Sequence, residues 1–541
     1  MTWGLRVLFS KAVFNGQQSM IMSHKKPRSI FWGLFALSSL WFGSKLETPD
    51  PRPNIIFIMA DDLGYSDIGC YGGEAKTPNL DKLAANGLKL RNFYNAGRCC
   101  PTRTALLTGQ YPHSAGMGNM VSFDDQKITP GPYQGFLDPN TPTIAEHLRQ
   151  AGYSTYMTGK WHVGERPEHW PLKRGFDKYF GLISGASSFF EVLPEKRKRY
   201  MVLQDQEYVL PKEGYYATDA FTDKAIEFIQ GQAPQSKPFF LYLAYTAPHF
   251  PLHAYESDIA KYESLYLQGW DVLRQQRFVK MQALGLLDKR YQLSPRPADV
   301  PEWNSVADKK SWARKMAVYA AMIDRMDQNV GKLIQALEAR QELDNTLIVF
   351  LSDNGGTSEN VDDRKLGEPG KKIGERGSYG TYDAPWANVS NTPFKLYKSF
   401  MHEGGIISPC ILHWPAKIKP KTGYQNTPGH VIDLLPTSLE LAQVPLPKEL
   451  PGQSLSYFWK AKKPKTRSLF WEHIGNKALR HGHWKLVKEH GDKDWELYDL
   501  SADPSESVNL ALQASEKVEA LKAEYEVWAK QVGVREIPVK K

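Results

Sequence analysis

The sequence predicts an α/β fold: a large central sheet flanked by helices, followed by a smaller C-terminal domain of antiparallel sheet plus helix. Three observations predict it. Short, wholly apolar runs recur far apart along the chain. Segments of helical periodicity separate them. Beyond about residue 425 the texture changes to short strands joined by turns, closed by one amphipathic helix. With 541 residues, 41% of them hydrophobic, the chain can build one large domain and a satellite.

The first apolar run is Ile55-Ile56-Phe57-Ile58-Met59, ending in Ala60-Asp61-Asp62. The second, residues 238–245, ends near His249. The third, residues 346–351, ends in Ser352-Asp353-Asn354-Gly355. Continuous apolar runs suit strands buried on both faces. Ligands of open α/β sheets collect beyond the carboxyl ends of strands, so these polar endings predict one site assembled from distant segments. Residues 80–87 and 143–151 read as short helices stopped by Gly87 and Gly152. A long helix over 312–337 carries Met316, Tyr319, Ile323, Met326 and Val330 as a core stripe. Residues 254–310 read as an inserted set of helices and loops. Residues 356–390 read as a surface loop containing the sequon Asn388-Val389-Ser390. Short strands are expected at 469–473, 477–480, 484–487 and 496–499, with Val518, Leu521, Tyr525 and Trp528 on one face of the final helix.

Three regions follow: a leader over 1–50, a principal α/β domain over 51–425, and a C-terminal subdomain over 426–541. In the leader, Lys25, Lys26 and Arg28 precede an apolar stretch at 30–42. That is the length of a signal peptide and short for a membrane span, and residues before Met20 or Met22 read as an overextended start. Export to a periplasm or the extracellular space is expected, with no stable membrane span. The formal charge of +9 favours anionic partners. No basic run is interleaved with aromatics, which argues against nucleic acid. The four cysteines form no paired CxxC array, which argues against zinc.

Asp61, Asp62, Asp353 and Asn354 supply a hard oxygen set suited to Ca²⁺, with Mg²⁺ second. Acidic pairs after strands also serve as helix caps or solvated turns. Two pairs, each ending an apolar strand, favour a metal site. In Cys99-Cys100-Pro101-Thr102-Arg103, Pro101 suits the first position of a helix closed by Gly109, which puts Cys99 at the helix entrance. Free N–H groups and the helix dipole there favour an anion, so Cys99 reads either as a thiolate nucleophile or as a buried thiol or disulfide half.

Cys99-x-Pro101-x-Arg103 with Leu106-Leu107-Thr108-Gly109 resembles the signature of the type I sulfatases. Gly159-Lys160-Trp161-His162-Val163-Gly164 resembles that family's second signature. Ala247-Pro248-His249, Ser352-Asp353-Asn354-Gly355-Gly356, and Lys398 with Glu403-Gly404-Gly405 add to the likeness, which is closest to the bacterial arylsulfatase branch. The resemblance implies a large mixed sheet of the alkaline phosphatase-like superfamily. It also implies hydrolysis of aryl sulfates or sulfated carbohydrates.

In such enzymes a dedicated formylglycine-generating enzyme oxidises the signature cysteine, here Cys99, to formylglycine (3-oxoalanine). Thr102 stands where the family usually has Ser. A hydrated aldehyde carries two hydroxyls on one carbon: one attacks sulfur, and the other allows sulfate to leave by elimination. The resemblance assigns the metal to Asp61, Asp62, Asp353 and Asn354, with residue 99 completing the shell. Arg103 and Lys160 orient the diol, and Asp353 accepts the attacking proton. Lys160, His249 and Lys398 neutralise the sulfate oxygens. Protonated His249, with Lys398, serves the leaving oxygen, and His162 is the base for the second hydroxyl. Two alternatives share the fold: a phosphate or phosphonate ester hydrolase, and an inactive binder of sulfated glycans.

Overall fold

Runs that are apolar at every position cannot line a half-wet sheet, and here they form its buried centre. The computed structural model describes residues 51–541 except 123–128, 193–198, 362–365, 461 and 539–541. The basic and apolar leader lies outside the described residues. Strands β1 (Asn54–Ala60), β7 (Phe239–Ala244) and β8 (Thr346–Ser352) are buried along their whole length. The others of this sheet are β2 (Leu88–Tyr94), β3 (Ser154–Gly159), β4 (Lys178–Leu182), β5 (Met201–Leu203), β6 (Gln206–Glu207), β9 (Ile407–His413), β10 (Tyr424–Gln425) and β11 (Gly429–His430). Among the described residues their order is β10-β2-β9-β8-β1-β7-β3-β4-β5-β6, with β11 also on β2.

The sheet is mixed. Strands β8, β1, β7, β3 and β4 run parallel. Strand β9 lies antiparallel between β8 and β2, and β5 is antiparallel to β4. Register aligns the carboxyl ends at its centre. Ala60 pairs with Ser352, and both Met59 and Gly159 pair with Ala244.

Helices cover the sheet as the periodicity predicts. The long helix is Lys309–Ala339, with Met316, Tyr319, Ile323, Met326 and Val330 buried. Helix Ile144–Gln150 starts with a capping box, in which Thr143 and Glu146 each bond the other's backbone N–H. Such a cap contributes about 1 kcal/mol.

The segment 356–390 is not wholly a surface loop. It contains helix Asp383–Ser390, drawn inward by aromatic packing. Trp386 meets Trp270 edge-on at 5.5 Å, and Tyr382 stacks on Tyr319 at 4.3 Å. Asn388 is therefore buried, and the sequon is closed to glycosyl transfer in the folded chain. The cysteines are all free thiols, so the disulfide reading of Cys99 is set aside.

The last part of the chain forms a second sheet in sequential antiparallel order: β12 (Ser468–His473), β13 (Asn476–His481), β14 (Trp484–Lys488) and β15 (Glu496–Asp499). Helix Ser515–Val532 covers it through Leu521, Tyr525 and Trp528, with Trp528 stacked on Phe470 at 4.9 Å. The described residues from 51 onward form one compact unit. Lys485, fully buried, joins this sheet to the rest through Glu403 and Glu506, each at 2.7 Å. Among the described residues, no helix is long and apolar enough to cross a membrane.

Candidate active site

The aligned strand ends bring their next residues together because backbone bonds continue the ladder past each strand. Asp61 N–H donates to Ala247 O, Asp353 N–H to Ala60 O, and Lys160 N–H to Ala244 O. Asp61, Asp62 and Asp353 each present a carboxylate oxygen within 4.8 Å of the others, all buried.

Three cations face these carboxylates. Lys160 Nζ lies 2.6 Å from Asp61 Oδ2, and Lys398 Nζ lies 2.9 Å from Asp62. Arg103 Nη2 lies 2.8 Å from Asp353 Oδ2 and 3.6 Å from Asp61 Oδ1. Asn354 Nδ2 donates to Asp62 Oδ1 at 2.6 Å. Buried charges this close must be paired to be tolerated.

Cys99 opens helix Cys99–Thr108, which ends at Gly109 in the left-handed region (φ 64°). The helix begins two residues before the position expected from Pro101. A proline is tolerated there because the first-turn N–H groups have no intrahelical partner. The Thr102 hydroxyl donates to Asp353 O at 2.6 Å and accepts from Ala96 N–H, tying the helix to β8. The threonine found in place of serine thus keeps a working hydroxyl. Cys99 Sγ lies within 4.8 Å of a ligand atom of both Asp61 and His249.

Burial pushes the Cys99 thiol pKa up, against the pull of Lys160 and Lys398. It also raises the Asp61 carboxyl, with Asp353 adding to the effect. Burial raises Asp353 too, but Arg103 and Lys160 outweigh it and hold that carboxyl below its ordinary value. His249 is held well below its ordinary value by burial and by Lys398. Its Nδ1 lies 2.5 Å from Phe250 O and its Nε2 3.4 Å from Lys398 Nζ.

The cluster also suits a hard cation. Among the described residues, the buried oxygens Asp61 Oδ1 and Asn354 Oδ1 have no hydrogen-bond partner, and they belong to the four residues read as ligands. An all-oxygen donor set of this charge fits Ca²⁺ or Mg²⁺.

Eight predicted residues (Asp61, Asp62, Arg103, Lys160, His249, Asp353, Asn354 and Lys398) form one polar network, with Cys99 against it. His162, two residues past Lys160, has a left-handed backbone (φ 55°), and its ring packs on Gly185. Sequence reasoning missed Arg98 and Glu359, which pair at 2.8 Å beside Lys398 and Cys99. The position of Arg98 directly before the signature was the available signal for one of them.

A buried acidic cluster at parallel strand ends, facing cations and a cysteine at a helix start, defines a hydrolase-type anion site. The family model described as Sulfatase matches residues 53–444, and that described as N-sulphoglucosamine sulphohydrolase, C-terminal, matches residues 394–531. The chain belongs to the sulfatase family. It is 36% identical to an uncharacterized sulfatase of Schizosaccharomyces pombe over 85% of this chain and 90% of that one. It is 34% identical to the arylsulfatase of Klebsiella aerogenes over 77% of this chain and 92% of that one. The crystal structure of Ps i-CgsB in complex with k-i-k-neocarrahexaose superposes with a TM-score of 0.66. That comparison is at 28% identity and covers 88% of this chain and 93% of that one. The protein is a sulfuric ester hydrolase of the arylsulfatase type.

Proposed function

We propose that the enzyme hydrolyses aryl sulfates or sulfated carbohydrates to an alcohol and inorganic sulfate, with residue 99 acting as formylglycine and Ca²⁺ held by Asp61, Asp62, Asp353 and Asn354. One observation carries this reading: Cys99 Sγ meets Asp61 and His249 at a helix start, inside a buried network of three carboxylates and three cations. The ion, when bound, polarises a sulfate oxygen and acidifies a nearby hydroxyl. Oxidation of Cys99 by a formylglycine-generating enzyme replaces a thiol of raised pKa with an aldehyde whose hydrate carries two hydroxyls.

Arg103 holds residue 99's surroundings through Asp353 and Lys160 O. Asp353 is the acceptor for the attacking proton. Lys160 and Lys398 place positive charge where the sulfate oxygens lie. Protonated His249, with Lys398, serves the leaving oxygen: its Nε2 faces Lys398 and Asp62 Oδ2, and arrival of the anionic ester favours the charged ring. His162 acts as the base for the second hydroxyl. The leader supports export, and residues 51–425 act as the catalytic domain with 426–541 as its C-terminal subdomain.

The test is turnover of defined sulfated saccharides, aryl sulfates and phosphodiesters by protein whose residue 99 has been checked by mass spectrometry. Sulfate esters are expected to be the better substrates. A higher kcat/KM for a phosphodiester would overturn the assignment.

A further inference from the structure

Glu359 is an acidic group at the edge of a site built to receive an anion. Its position has a cost, because a carboxylate near the incoming sulfate repels it. Its Oε1 is 2.8 Å from Arg98 Nη2, and Arg98 Nη1 bonds the Ser399 hydroxyl. Arg98 directly precedes Cys99, and Ser399 directly follows Lys398. The pair therefore bridges the two segments that carry the nucleophile and a sulfate-facing cation. Ser399 is braced in turn from the β12–β13 hairpin, where Asn476 Nδ2 donates to its carbonyl oxygen at 3.1 Å.

Exposure orders these groups from inside out. Asp61, Asp62, Asp353, Arg103 and Lys160 have fully buried side chains, and that of Lys398 is 2% exposed. Arg98 is 21% exposed and Glu359 27%. The pair is thus the more exposed polar layer of this cluster, outside Lys398. Among the described residues, Glu359 Oε2 accepts no hydrogen bond. Lys398 and Arg98 outweigh burial and hold the Glu359 carboxyl below its ordinary pKa, so it is ionised and acts only as an acceptor.

We propose, resting on the sulfatase reading, that Glu359 braced by Arg98 is a specificity-determining residue that accepts hydrogen bonds from hydroxyls of a sugar leaving group. An ionised acceptor with a free oxygen suits neutral O–H donors. It disfavours a leaving group carrying a second sulfate nearby. A simple aryl leaving group offers it nothing to bind.

The experiment uses full-length oxidised enzyme as wild type, Glu359→Ala and Glu359→Gln. It measures kcat/KM for 4-nitrophenyl sulfate and for the best substrate among a panel of monosulfated monosaccharides. Glu359→Ala is expected to lower the sugar value about 10- to 100-fold. The aryl value should change less than about 3-fold, consistent with loss of hydroxyl contacts only. Glu359→Gln keeps one acceptor and is expected to fall between. Equal losses on both substrates would mean that Glu359 only braces Arg98, and would overturn the proposal. So would an unchanged sugar value, or a wild type that cleaves aryl but no sugar sulfate. A wild type that cleaves no sulfate ester of either kind would instead overturn the sulfatase reading, and this proposal with it.

Discussion

Arg103 and Asp353 are paired at 2.8 Å with no solvent contact, which locks the helix carrying Cys99 to the carboxyl end of β8. Removing one partner leaves the other charged and buried, at a cost of about 3–5 kcal/mol. Arg103→Ala is expected to lower stability by that amount and to abolish turnover. Urea unfolding followed by circular dichroism checks the first effect. Arg103→Lys should recover part of the stability but not the second bond that Arg103 makes to Lys160 O.

Cys99→Ala should reduce kcat by roughly 10⁴-fold or more, as expected when a nucleophile is removed, with the melting temperature nearly unchanged. Cys100, also buried, packs in the core instead. Cys100→Ala should cost stability and leave most activity. A comparable activity loss in both variants would show that the wrong residue has been assigned as nucleophile.

Chelation should strip the ion from the three carboxylates and Asn354 and lower both activity and melting temperature. Adding back Ca²⁺ at about 100 times its Kd should return roughly 2.7 kcal/mol. Differential scanning calorimetry across a Ca²⁺ titration reads this directly. A melting temperature independent of Ca²⁺ would argue against a bound ion.

Stability should fall on acidification for a reason separate from catalysis. Burial lowers His253 to about 4 and His413 to about 4. The unfolded chain takes up protons near pH 6.5, whereas these folded rings do not until about pH 4. Their contribution is therefore complete above about pH 6.5 and is lost as pH falls toward 4, by up to about 1.4 kcal/mol per pH unit for each ring. His253 uses both nitrogens, facing Ser188 Oγ at 3.2 Å and Ser378 O at 2.8 Å. His253→Gln should flatten the acid limb measured by urea unfolding, while lowering stability at pH 8.

The C-terminal sheet is held by Lys485 between Glu403 and Glu506. Lys485→Met leaves two buried carboxylates uncompensated and should cost about 3–5 kcal/mol. Limited proteolysis should then cut preferentially beyond β9. Unchanged thermal unfolding would mean that these carboxylates lose their charge without penalty.

The sheet centre and most of the site were legible because apolar runs and polar strand ends are local signals. Asp61, Asp62, Asp353 and Asn354 each follow such a run directly. Cys99, Arg103, Lys160 and His249 lie in recognisable short motifs. Glu359 was not legible: it sits in a segment rich in Gly, Lys and Glu, and its partner Arg98 is distant in sequence. Asn388 misled for a related reason. Its local composition reads as a loop, but Trp386 and Tyr382 bury the helix through contacts that no local pattern records. The early start of the Cys99 helix shows a further limit, since proline in the first turn does not say which position it holds.

The register of the central strands also bears on assembly. The residues following β1, β3, β7 and β8 come from positions near 60, 160, 245 and 353, and they meet only when those strands are paired. Contacts of such long range form slowly, because chain closure must precede any gain from them. A nascent or truncated chain that ends before β8 holds Asp61, Asp62 and Cys99 but lacks Asp353, Asn354 and Lys398. Catalytic competence therefore reports that these four strands have paired, and a copy in which they have not has no fraction of it.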